Sequence, residues 1–204
     1  MSTTITPVEQ KTDALVLHFA PVARKLSEQE FYDFCRLNPE LRIELTSDGD
    51  LIIMPPTGMK TGNRNALLTY YTTAWAIKDG TGLIFDSSSV VTLPNGAKRS
   101  PDVSWIRKER WERLSEAEQD RFSPICPDFI VELRSPTDAV KTLQAKMQEY
   151  IENGAQLGWL IDPFERKVYV YQPDQPVKVL DDPATVSGES VLSGFTLDVQ
   201  EIWK

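Results

Sequence analysis

FIVELRS (129–135), DAVKTLQAKMQEYIENG (138–154) and LGWLID (157–162) together decide the fold class. The first run is short, mostly apolar and rich in β-branched residues, which reads as a buried strand. The second places Val140, Leu143, Met147, Tyr150 and Ile151 on one helical face and stops at Gly154, a residue type suited to helix ends. LGWLID then alternates as a strand and pairs across the PFERK link with KVYVYQ (167–172) as a hairpin. A strand feeding a helix that feeds a hairpin predicts a mixed sheet, so the fold class is α/β or α+β with helices flanking a mixed central sheet and hairpins at its edges.

Working outward, SEQE (27–30) followed by Phe31, Tyr32, Phe34 and Leu37 is a capping box opening an amphipathic helix that ends near Asn38 and Pro39. LRIEL (41–45) and DLIIMPP (50–56) form a hairpin around Asp48-Gly49. Between Asn65 and Lys78 the apolar spacing predicts a helix that stops at Asp79-Gly80. LIFDSSSVVTL (83–93) and VSWI (103–106) read as strands with Pro94-Asn95-Gly96 turning between them, and the charged RKERWERLSEAEQDRF stretch reads as a locally helical or looped, solvated excursion. Residues 1–26 lack a sustained period and are expected to be an N-terminal leader, with residues 27–204 a single domain.

The 204 residues, 41% hydrophobic, suffice for one substantial core without a stabilising metal or disulfide. His18 is the single histidine, so zinc sites and triads needing two histidines are excluded, and metal chemistry has to rest on carboxylates. A net charge of −8 opposes broad, sequence-independent binding to a phosphate backbone. Cys35 and Cys126 match no zinc spacing and read as reduced thiols. With no secretory signal pattern and no apolar run of membrane length, a cytoplasmic protein is expected.

The chemistry centres on two carboxylates. Asp102 opens the VSWI strand on the face opposite Val103 and Trp105, and Glu132 lies inside FIVELRS on the face opposite Val131 and Leu133. A carboxylate in an apolar strand needs neutralising, either by a shared divalent cation or by a structural ion pair with Arg134 or Lys146. Spacing alone leaves both readings open.

Pro101-Asp102, then Glu132 to Asp138 (ELRSPTD), Lys146 to Tyr150 (KMQEY) and Gly158 to Pro163 (GWLIDP) resemble the bacterial Uma-two family of restriction-endonuclease relatives in the PD-(D/E)xK nuclease superfamily. Arg42 to Pro56 and the closing Ser193 to Leu197 (SGFTL) extend the resemblance over about residues 27–203. It implies a restriction-endonuclease-like fold and a metal-dependent nuclease acting on nucleic acid, with DNA the expected substrate and no membrane partner. Its catalytic residues match Glu44, Asp102, Glu132 and Lys146. Mg²⁺ or Mn²⁺ would be held by Asp102, Glu132 and the carbonyl of Leu133. The superfamily lysine, two residues after the second acid, is replaced here by Arg134, and Lys146 in the following helix takes its place. Glu44 would act as a water-bridged ligand or by positioning Lys146. A histidine common in the family after the first hairpin is absent between Thr57 and Asn65.

For phosphate contact, Lys98 and Arg99 are the expected residues, three or four positions before Asp102; Lys60 and Arg64 are the other candidates. Two other classes compete: a nuclease fold without activity that serves as an interaction module, and a phosphohydrolase of small substrates. Monomer or homodimer stays open.

Overall fold

The computed structural model describes residues 14–18 and 26–204, so the expected leader, residues 1–26, lies outside the described residues except at 14–18 and 26. Around FIVELRS the central sheet has six strands: β4 (Gly82–Asp86), β7 (Val103–Arg107), β8 (Phe129–Leu133), β9 (Leu157–Asp162), β10 (Lys167–Tyr171) and β11 (Lys178–Asp181). Their order is β11-β10-β9-β8-β7-β4, and only β8 and β9 run parallel. Parallel neighbours need a crossover. Helix α5 (Val140–Glu152) supplies it.

All five residues of β8 and all six of β9 are buried, as a strand covered on both faces requires. On one face Val103, Trp105, Phe129, Val131, Trp159 and Ile161 pack with helix α2 (Met59–Asp79) and the closing segment. Ile130 and Leu160 face the other way, onto Leu143, Met147 and Tyr150 of α5. The helix approaches β9 at Gly158, where a Cβ would run into the Met147 side chain. That close contact sets the height at which Lys146, the preceding residue, projects.

A second sheet takes the order β1-β3-β2-β6-β5, with β1 (Leu15–Leu17), β2 (Arg42–Leu45), β3 (Leu51–Met54), β5 (Val91–Thr92) and β6 (Lys98–Arg99). Helix α1 (Glu28–Leu37) begins at the expected capping box, with Ser27 and Glu30 exchanging bonds, and buries Phe31 with Ile43, Leu45 and Leu51. Glu44 alternates to the other face of β2, away from this apolar cluster.

Two elements differ from expectation. Helix α2 starts at Met59, six residues before Asn65; the apolar spacing does not reveal this first stretch because its inward positions are Thr61 and Arg64. Arg64 is buried and donates to the carbonyls of Ile202 and Trp203 at the end of helix α6 (Gln200–Trp203). LIFDSSSVVTL divides between the two sheets after Asp86, whose Oδ1 accepts from the Ser88 N–H and whose carbonyl accepts from Ser89. Consequently Pro94-Asn95-Gly96 closes the β5–β6 hairpin, with Leu93 and Ala97 bonded across it. The closing segment packs through Phe195, Leu197, Val199 and Ile202. No helix among the described residues is long and apolar enough to cross a membrane.

Candidate active site

Strands β7 and β8 are antiparallel with Val103 opposite Val131. Carried one residue further, this register sets Asp102 opposite Glu132 on the face that carries α5. Asp102 is held by two amides: its Oδ2 accepts from the Leu133 N–H at 2.8 Å and its Oδ1 from Asn65 Nδ2 at 3.0 Å. Neither partner is charged. Burial therefore dominates and pushes the Asp102 carboxyl above its ordinary range, although the Leu133 bond and the charges of Lys146 and Arg42 oppose the rise.

Glu132 is 4% exposed. Its Oε1 lies 2.9 Å from Lys146 Nζ and accepts from the Tyr150 hydroxyl at 2.9 Å. Oε2 makes no hydrogen bond within the described residues. Burial, with repulsion from Asp102 and Glu44, outweighs the attraction of Lys146, and the Glu132 carboxyl is pushed up to about 7. Lys146 is shared: its Nζ also donates to Glu44 Oε1 at 2.8 Å. Burial alone would lower its affinity for a proton, but the two carboxylates hold it charged and raise it.

Glu44 is buried and anchored at both oxygens. Oε1 also accepts from the Ser100 N–H at 2.9 Å, and Oε2 accepts from Arg99 Nη1 at 3.1 Å. Burial raises its carboxyl, but Lys146 and Arg99 together reverse that, so Glu44 lies below the ordinary carboxylate range. Of the two roles open to Glu44, direct contact with Lys146 is the arrangement present. Arg99 continues the chain to Glu149 at 2.7 Å.

These residues meet at a cleft of about 280 Å³ lined by Asp102, Glu132, Leu133, Lys146, Asn65 and Arg42. Its mouth runs along the exposed Pro55–Gly58 turn that ends the first hairpin. Four carboxylates, those of Glu44, Asp102, Glu132 and Glu149, stand against three cations: Lys146 and Arg99, both engaged with Glu44, Glu132 and Glu149, and Arg42, which lines the cleft without an ion pair among the described residues. The remaining buried negative charge favours a further cation. No group of three or more His, Cys, Asp or Glu among the described residues is arranged to hold a metal. Two carboxylates that leave the remaining positions to a main-chain oxygen, water and substrate are nevertheless the donor set that suits Mg²⁺. The residues fit such an ion.

Several expected positions change. Arg134 is not in this group; its Nη1 pairs with Asp162 at 2.9 Å and its Nε donates to the Asp138 carbonyl. Lys98 and Arg99, expected to meet phosphates, are both buried and engaged within the fold. Lys98 donates to Thr92 Oγ1 and lies 3.9 Å from Glu28, because β6 is an inner strand of the second sheet. Arg99 is committed to Glu44 and Glu149. Arg64 caps α6, as described above, leaving Lys60 exposed. His18 bonds Asp50 and takes no part in the cleft.

Sequence reasoning missed Asn65, Arg42 and Glu149. Arg42 and Glu44 share one face of β2 by their spacing of two, a signal that was present. Glu149 follows Lys146 by three residues and so lies on the same side of α5. Asn65 had no local signal, because its partner Asp102 lies on another element.

The family model described as "Uma2: Putative restriction endonuclease" matches residues 28–200. A crystal structure described as a "putative nuclease belonging to DUF820", from Anabaena variabilis ATCC 29413, superposes with a TM-score of 0.73 at 25% sequence identity, covering 87% of this chain and 97% of that one. No curated protein matches this chain. The mixed central sheet with flanking helices is of the restriction-endonuclease-like class.

Proposed function

We propose that this chain, which belongs to the Uma2 family, is a metal-dependent nuclease that hydrolyses phosphodiester bonds, with DNA as substrate. The observation that carries the reading is the convergence of Asp102, Glu132 and Lys146 at one cleft from three separate elements. A structural ion pair would account for Glu132 and Lys146 alone. It leaves unexplained why Asp102 is oriented by two amides beside them with no cation of its own.

Asp102, Glu132 and the carbonyl of Leu133 would hold Mg²⁺ or Mn²⁺. In an extended strand the N–H and C=O of one residue point to the same side, so the Leu133 carbonyl follows its N–H toward Asp102. When bound, the ion supplies charge neutralisation at the phosphate and a more acidic water. The chain's own residues supply the rest. The two amides on Asp102 lock its carboxylate plane. Tyr150 fixes Glu132 through Oε1, which keeps Oε2 for the cleft. Glu44 holds Lys146 Nζ beside Glu132, where the ammonium can orient an attacking water or stabilise charge developing on the phosphate. Arg99 and the Ser100 N–H keep Glu44 ionised and in place for that task.

Incubation of the whole chain with labelled duplex and single-stranded DNA, in Mg²⁺ or Mn²⁺ and in EDTA, tests the reading. Metal-dependent cleavage that disappears with Asp102→Asn is expected. Cleavage that is equal in EDTA, or unaffected by Asp102→Asn, refutes it.

A further inference from the structure

With Lys98 and Arg99 buried and Lys146 held between two carboxylates, the cleft needs another group to receive a phosphate. A net charge of −8 makes this more pressing, since capture cannot come from a general basic surface. Arg42 and Lys146 are the cations that line the cleft, and they differ. Arg42 is half-buried and lines the cleft with Asp102, Glu132 and Lys146. Among the described residues it forms no ion pair. Its one side-chain hydrogen bond among the described residues runs from Nη2 to the carbonyl of Ser87 at 2.9 Å. That bond ties β2 to the segment leaving β4 and fixes the guanidinium plane, while Nε and Nη1 have no partner among the described residues.

We propose that Arg42 is the phosphate-binding residue of this site, receiving the non-bridging oxygens of a nucleic-acid phosphodiester beside Asp102. The inference rests on the nuclease reading above and adds to it the group that captures the substrate. A guanidinium anchored at one amino group presents the planar fork that suits phosphate oxygens. Its charge also reaches Asp102 and favours the ionised carboxylate, so Arg42 lies within electrostatic range of the carboxylate at which the reacting phosphate would be held. The Lys146 ammonium, by contrast, would have to leave Glu44 or Glu132 to bind the ground-state substrate.

The test uses the whole chain, a labelled DNA duplex and Ca²⁺ in place of Mg²⁺ to block cleavage, with binding measured across a salt series. Arg42→Gln is expected to weaken binding roughly tenfold at low salt and to lower the slope of log K against log[salt] by about 1. Arg42→Lys keeps a donor and the charge, so it should restore the slope while recovering only part of the affinity. Lys178→Gln, on the exposed edge strand β11, should change neither affinity nor cleavage. Thermal midpoints of all variants identify any that lose the fold. If wild type cleaves DNA but Arg42→Gln binds with unchanged affinity and slope, the inference is wrong and the nuclease reading stands. If Arg42→Lys matches Arg42→Gln in slope at an unchanged midpoint, charge capture by position 42 is refuted. A wild-type chain that neither binds nor cleaves nucleic acid overturns both.

Discussion

Replacing Glu132 with glutamine should abolish cleavage and yet make the metal-free protein more stable at alkaline pH. The carboxyl of Glu132 rises from 4.5 to about 7 in the fold because burial and the neighbouring Asp102 and Glu44 outweigh the attraction of Lys146. A carboxyl that titrates higher when folded holds its proton more tightly there than in the unfolded chain. Its contribution is fully present below about 4.5 and is lost as pH rises through about 7. At pH 8 the ionised group costs about 3 kcal/mol relative to its neutral form, from about 1.36 kcal/mol per pKa unit. At pH 5 the same difference falls below about 1 kcal/mol, since the folded protein then keeps the proton.

Glutamine preserves the shape and still offers an oxygen to Tyr150 and Lys146, while the ammonium keeps its bond to Glu44. In EDTA the thermal midpoint of Glu132→Gln should therefore exceed that of wild type by roughly 6–12 °C at pH 8 for a chain of this size, with most of the gap gone at pH 5. Added Mg²⁺ or Mn²⁺ should reverse the order at pH 8, because only wild type gains stability by binding the ion. Thermal or urea unfolding at both pH values measures this. A variant no more stable than wild type at pH 8, or an offset that does not change with pH, would refute the reasoning that Glu132 is held in an unfavourable charge state for metal binding.

The lysine assignment gives a paired expectation: Lys146→Ala should lower cleavage by about 10²-fold or more, whereas Arg134→Ala should keep cleavage within a few-fold. The arginine variant should instead lose about 3 kcal/mol in urea unfolding, because Asp162, fully buried, loses its cation on Oδ2 and keeps only the Phe164 and Glu165 N–H groups on Oδ1; loss of activity in the arginine variant alone would reverse the assignment. Both cysteines should resist thiol reagents in the native protein at pH 8. Burial pushes Cys35 up to about 11 and Cys126 up to about 12 and leaves little thiolate to react; rapid native labelling of Cys126 would show that its surroundings open readily.

The site shows why the ion network takes the form it does. A buried pair gains little if a hydrophobic pair could replace it, since desolvation offsets the attraction. Here Lys146 and Arg99 are each divided between two carboxylates, a poor arrangement for stability and a suitable one for leaving negative charge beside Asp102. In the proposed nuclease reading, function and stability pull in opposite directions at Glu132, which is why its neutral variant would separate them.

Local pattern alone determined a large part of this protein. The capping box at Ser27, the Asp48-Gly49 hairpin, the β8–α5–β9 crossover and the β9–β10 hairpin all rest on interactions within a few residues or on a hydrophobic period, both of which are written in the chain. The opposition of Asp102 and Glu132 to their apolar neighbours follows from the two-residue period of a strand. What the tertiary structure decided is where charge goes. Lys98 and Arg99 have the composition of a solvated loop, and only the inner position of β6 buries them. Glu44 has no side-chain partner within its own hairpin until α5 brings Lys146 over it from 102 positions away. Asn65 meets Asp102, and Arg42 is tied to the Ser87 carbonyl, across elements whose relative placement no local period encodes. The physical reason is that backbone propensity acts over one or two turns, whereas the free energy of a buried charge depends on every element packed around it.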